Sequence, residues 1–130
     1  MFGQSSWGNE EKTIIHRELS AMWTWDEYYE LVKQEQKLIK TISHPVIVII
    51  DASAALNLPI SSLRYFKQIL ENPSPFYEKY ILVSKHQAYC TLYRILMQIL
   101  PEAQKHFFIV QTLDEAYQLA NYNIQNPQAL

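Results

Sequence analysis

Apolar residues recur along this chain at two alternating periods. Thr13 to Leu19 is β-rich and predicts a strand, with Trp7 in a short strand before it and Gly8-Asn9 as the turn signal between them. Tyr28, Leu31, Val32, Leu38, Ile39 and Ile42 then fall at three-to-four spacing and predict a helix, which Ser43-His44-Pro45 ends. Val46 to Ile50 is an unbroken β-branched run, the mark of a central strand covered on both faces, ending at Asp51. After a loop over Ala52 to Ile60, Ser61 or Ser62 caps a helix carrying Leu63, Phe66 and Leu70, and Asn72-Pro73-Ser74-Pro75 stops it. Tyr80 to Val83 predicts another buried strand, His86 to Leu100 a third helix stopped by Pro101, and Phe107 to Val110 a further strand. The last helix carries Leu113, Ala116, Tyr117 and Ala120 on one face, and Asn121 to Leu130 is polar and predicted to fray.

Two capping boxes sharpen these boundaries. In Thr24-Trp25-Asp26-Glu27 and Thr112-Leu113-Asp114-Glu115 the hydroxyl accepts from the glutamate N–H while the carboxylate reaches back. Trp23 and Tyr28 occupy the hydrophobic-staple positions. Trp23 and Trp25, close in the chain, are not expected to face inward together at helical spacing. The alternation of strand and helix predicts one α/β domain with a mostly parallel central sheet of four to five strands and about four helices. It divides the chain into an N-terminal segment 1–11, a domain 12–122 and a C-terminal tail 123–130.

Composition narrows the function. The chain has 130 residues, 48% hydrophobic and 18% charged, with a formal net charge of −2. That composition suits a packed globule and offers no basic face for nucleic acid. Val46 to Ile50, the densest apolar run, is far too short for a membrane span, and no secretory signal is visible, so a cytoplasmic location is expected. The only glycines are Gly3 and Gly8, so no glycine-rich phosphate cradle or nucleophile elbow can form, and no cofactor is expected. The acid pairs Asp26-Glu27 and Asp114-Glu115 belong to helix first turns, where the dipole favours negative charge.

Three groups remain as candidates. His86 and Cys90, the lone cysteine, are four apart on the third helix, and Asp51 at the end of the central strand could orient the histidine. The bland counterpart is a small buried thiol, with no metal site. Asp51 and Ser53 stand where the central strand meets its loop, as a site or as local turn chemistry. The third helix carries two apolar stripes. Ala88, Leu92, Ile95 and Ile99 suffice to cover a sheet, while Tyr89, Tyr93, Leu96, Met97 and Leu100 either pack on a neighbour or form a partner face. Tyr93 and Met97 are the residues of that face most expected to be exposed.

The order of elements, with Trp23-Thr24-Trp25-Asp26-Glu27, Val46-Ile47-Val48-Ile49-Ile50-Asp51-Ala52-Ser53 and Val110-Gln111-Thr112-Leu113-Asp114-Glu115-Ala116, resembles STAS-like domains, the anti-sigma-factor-antagonist fold. The resemblance spans about Lys12 to Tyr122. It implies a mostly parallel sheet with helices packed against it and a protein partner. It also implies a phosphorylated serine at the start of the helix after the central strand, in an Asp-Ser-Ser-Gly-Leu motif. The matching stretch is Pro59-Ile60-Ser61-Ser62-Leu63, which places Ser61 at that position and keeps Leu63, with Pro59, Ile60 and Ser62 departing from the motif. Three readings follow. A non-enzymatic regulatory module binding a protein partner, or a second copy of itself, requires an exposed patch. An apolar-ligand or lipid carrier requires an internal cavity of about 300 Å³ or more. An enzyme built on Cys90, His86 and Asp51 requires a cleft where those side chains converge.

Overall fold

The central strand is buried along its whole length, and the rest of the molecule is arranged to cover it. The computed structural model describes residues 3–125. Its strands are β1 (Gln4–Trp7), β2 (Ile14–Glu18), β3 (Val46–Asp51), β4 (Tyr77–Val83) and β5 (Phe107–Val110). Its helices are α1 (Trp25–Ile39), α2 (Ser62–Glu71), α3 (Gln87–Ile99) and α4 (Leu113–Gln125), with a 3₁₀ turn over Pro101–Lys105. The five strands form one sheet in the order β1-β2-β3-β4-β5. β1 is antiparallel to β2, and all later pairs are parallel. The predicted α/β class and mostly parallel sheet are therefore observed.

Each parallel crossover moves one strand in the same direction, so connections of one hand put α1, α2 and α3 on one face. The core divides accordingly. Ile15, Val48, Ile50 and Leu82 pack with residues of α1, α2 and α3, whereas Ile14, Ile47, Ile49, Ile81 and Val83 pack with Ala116 and Ala120 of α4. The helix face is filled by aromatic rings. Trp25 stacks on Tyr65 at 4.7 Å and meets Phe66 edge-on at 5.0 Å, and Phe66 stacks on Phe107 at 6.0 Å. Gly8 lets α4 come close to the β1–β2 turn, since a Cβ there would lie 2.7 Å from the Tyr117 hydroxyl.

Several expectations are corrected. Trp23 and Trp25 are both buried, with ring centroids 5.0 Å apart. The intervening Thr24 has extended backbone, and in an extended stretch residues two apart point the same way. The Thr112–Glu115 box closes in both directions. In the Thr24–Glu27 box the hydroxyl accepts as predicted, but the Glu27 carboxylate accepts from Ser20 Oγ instead. α4 continues to Gln125 with Asn123 buried, its Oδ1 accepting from Lys79 Nζ at 2.6 Å. The boundary placed at 122/123 therefore cuts a helix, and residues 126–130 of the predicted tail lie outside the described residues. Segment 1–11 contributes β1, an integral strand of the sheet.

β4 begins earlier than the apolar pattern implies. Val46 pairs with Tyr77 and Ile47 with Lys79, so Glu78 is an extra residue that breaks the alternation. The bulge brings Tyr77 and Tyr80 to the same face although they are three apart, with rings 5.8 Å from each other. There Tyr77 joins an ion pair that no pattern announced. Arg17 and Glu35 are 1% and 0% exposed. Arg17 Nε and Nη2 each donate to one Glu35 carboxylate oxygen at 2.7 Å. Arg17 Nη1 donates to the Tyr28 hydroxyl, and Ser5 Oγ and the Tyr77 hydroxyl donate to Glu35.

Burial pushes the Glu35 carboxyl up, but the Arg17 guanidinium and the hydrogen bonds more than offset it and hold it below its ordinary value. Glu35→Ala should therefore cost about 3–5 kcal/mol by leaving Arg17 buried without its counter-ion. Arg17→Met with Glu35→Leu should recover most of that loss. Urea midpoints for the single and double variants check it, and a single-variant loss under about 1 kcal/mol would show the pair to be dispensable.

Candidate functional site

In open α/β sheets, loops at the carboxyl ends of parallel strands are free to diverge, and sites form there. Here that rim is built from two loops, Leu19–Thr24 after β2 and Ala52–Ser61 after β3. They are joined by backbone, since Leu56 N donates to Ala21 O at 2.9 Å. A side-chain chain adds to this: Trp23 Nε1 donates to the Tyr89 hydroxyl at 2.8 Å, which donates to Asn57 O at 2.7 Å. Burial pushes the Tyr89 phenol up to about 12, against the opposing effect of the Trp23 hydrogen bond, so it stays protonated and able to donate. Trp25 Nε1 also donates to Ser62 Oγ at 3.1 Å, and that hydroxyl donates to Pro59 O. The loop is thus pinned at both ends and in its middle.

This pinned loop carries apolar side chains outward. Met22 is 63% exposed, Leu56 68% and Ile60 92%. Beside them, Ser61 is the N-cap residue of α2 but its hydroxyl makes no capping bond. Its backbone is left-handed, with φ 68° and ψ 16°, a region costly for a residue with a Cβ. The cap expected of Ser61 or Ser62 is therefore absent in its usual form. Ser62 is buried and bonds Pro59 and Trp25, whereas the Ser61 hydroxyl is exposed.

On the other face of the sheet, at the same rim, Asp51 is buried and its Oδ2 lies 2.7 Å from His16 Nε2. Asp51 Oδ1 accepts from the Ser53 N–H at 3.0 Å and from the Ser53 hydroxyl, the local turn chemistry weighed from sequence. Burial raises the Asp51 carboxyl, but hydrogen bonds from His16 and Ser53 prevail and hold it below its ordinary value. His16, Glu18 and Asp51 form a group whose donor atoms all lie within 4.8 Å of one another. The Tyr117 ring stands edge-on to His16 at 6.4 Å.

The remaining candidates separate. The side-chain partners of Asp51 are His16 and Ser53, and no hydrogen bond among the described residues links it to His86 or Cys90. His86 is exposed and Cys90 half-buried on α3. The proposed partner face of α3 is turned inward: Tyr89 and Met97 are buried, and Tyr93 and Leu100 are half-buried. The Tyr93 hydroxyl donates to Phe107 O at 2.9 Å. The continuous three-to-four stripe is 89, 92, 93, 96, 97 and 100, and it packs on the sheet. Ile95 and Ile99, assigned to the covering stripe, are exposed instead.

Sequence reasoning missed His16, although His16 and Glu18 share the alternation of β2 with buried Ile14, which placed them on one sheet face. It also missed Met22, Leu56 and Ile60, because exposed apolar loop residues carry no periodicity. Comparison with protein-family models, curated proteins and solved structures finds no match for this chain. Among the described residues no helix is long and apolar enough to cross a membrane.

Ser61→Gly should stabilise the protein by about 0.5–1 kcal/mol, because glycine enters the left-handed region without a Cβ penalty. Thermal and urea unfolding check it; a destabilised variant would mean that the Ser61 side chain holds the loop.

Proposed function

We propose that this chain is a non-enzymatic regulatory module of STAS-like character, which binds a protein partner through the rim formed by the loops after β2 and β3. The observation that carries this reading is the group of exposed apolar side chains, Met22, Leu56 and Ile60, on loops held rigid by Tyr89, Trp25 and Ser62. Apolar residues held outward on a fixed surface lose little entropy when a partner covers them. A mobile loop would instead pay to be ordered.

Ser61 is the position of regulation in this reading. Its hydroxyl is exposed, it precedes a helix with no acidic residue in its first turn, and it adjoins Ile60. A phosphate there would add about −1.5 to −2 charge next to free helix N–H groups, at the edge of an apolar contact. The fold would tolerate it and an apolar partner would not. A carrier function is less well supported, because Trp25, Tyr28, Phe66 and Phe107 occupy the space between sheet and helices where a ligand would lie.

Affinity capture from the source organism, followed by identification of the bound protein, tests the reading. Leu56→Asp with Ile60→Asp should retain the wild-type melting temperature and weaken the captured partner by at least about tenfold, or 1.4 kcal/mol. Ser61→Asp should weaken it and Ser61→Ala should not. A partner held equally by all variants contradicts the assigned rim.

A further inference from the structure

The geometry points to a divalent transition-metal site at the carboxyl ends of β2 and β3, with His16, Glu18 and Asp51 as ligands and Zn²⁺ as the ion best suited to them. It is carried by the second face of the rim and does not depend on the partner reading.

The placement follows from strand geometry. His16 and Glu18 are two apart in β2 and so project from the same sheet face. Glu18 is directly paired with Asp51 of β3. Two carboxylates at directly opposed cross-strand positions repel one another unless a positive charge lies between them. His16 Nε2 already stands 2.7 Å from Asp51 Oδ2, with a proton shared where an ion would sit. Zinc held at about 2.0–2.2 Å from each donor separates its ligand atoms by about 3–4 Å. The three donors, all within 4.8 Å of one another, reach that spacing by rotation of the exposed Glu18 side chain. To ligate, His16 presents the Nε2 lone pair and carries its proton on Nδ1.

The site also has the supporting features that metal ligands need. Asp51 is oriented from behind by the Ser53 N–H and hydroxyl, which bond its Oδ1 and leave Oδ2 directed at His16. The site is accessible: α4 packs on β3, β4 and β5, so the β2 end of that face is left half open, with His16 partly exposed. Water can complete the coordination there. One imidazole and two carboxylates suit zinc or a neighbouring transition ion better than Mg²⁺ or Ca²⁺, which take oxygen alone.

The test is titration of chelator-treated protein with Zn²⁺ by calorimetry, with Co²⁺ absorption as a second reading of coordination. The expected result is one ion per chain with a Kd on the order of 1 μM or tighter. Co²⁺ should give the visible bands of a nitrogen- and oxygen-ligated ion. Glu18→Gln alters an exposed side chain that takes no part in packing. It should leave metal-free stability unchanged and weaken binding by at least about tenfold. His16→Gln should abolish it. Absence of saturable binding up to about 1 mM Zn²⁺ overturns the assignment. So does equal affinity in wild type, Glu18→Gln and His16→Gln, which would assign the ion to surface histidines elsewhere.

Discussion

The buried pairing of Arg17 with Glu35 is the constraint on which the helix side of this fold depends. Removing two charges from water costs several kcal/mol per ion, and the cost is recovered only when every donor and acceptor is met. Arg17 faces that layer from β2 and Glu35 reaches it from α1, and the paired bonds between them are both 2.7 Å long. Sliding α1 by one turn, about 5.4 Å, would leave both charges unpaired in the core. The ion pair therefore selects one register of α1 on the sheet. Ser5 from β1 and Tyr77 from β4 bond the same carboxylate, so three strands and one helix are tied to a single point.

That register positions the rim. With α1 fixed, Trp23 and Trp25 at its start are placed against Tyr28 and Phe66, and their indole N–H groups meet Tyr89 and Ser62. The hydroxyls of Tyr89 and Ser62 in turn hold Asn57 and Pro59 of the loop after β3. The exposed positions of Leu56 and Ile60 are thus the end of a chain of bonds that begins in the core. The opposite face is built more sparsely. α4 alone covers it, with small Ala116 and Ala120 against the sheet, and its β2 end stays open around His16. One rim therefore has an apolar side and a polar side, divided by the sheet.

The sequence was legible where a feature has a period. The strand Val46–Asp51, the helix starts at Thr24 and Thr112 and the mostly parallel order all follow from spacing and local chemistry. Legibility failed where a single residue changes the phase. The Glu78 bulge hides the first half of β4, because Tyr77 and Tyr80 do not alternate as a strand should. Extended Thr24 lets two nearby tryptophans share a face that helical counting denies them. On α3 the inward stripe is chosen by Tyr89 and Tyr93, whose hydroxyls reach backbone carbonyls of other elements, and a count of apolar residues does not see those acceptors. Arg17 and Glu35 had a readable signal that was passed over: Glu35 lies on the apolar stripe of α1, between Leu31 and Ile39, where a lone charge requires a buried partner.

The functional account rests on surface that long-range bonding holds rigid, and a direct reading of which surface is covered tests it best. Hydrogen–deuterium exchange should be compared for the free protein and its complex with the captured partner. The account predicts that added protection concentrates in residues 20–24 and 53–62. Amides of β3 and β4 should exchange slowly in both states, as central strands do. Protection confined to the β1 edge or to α4, with the two loops unchanged, would contradict the assignment of the rim as the binding surface.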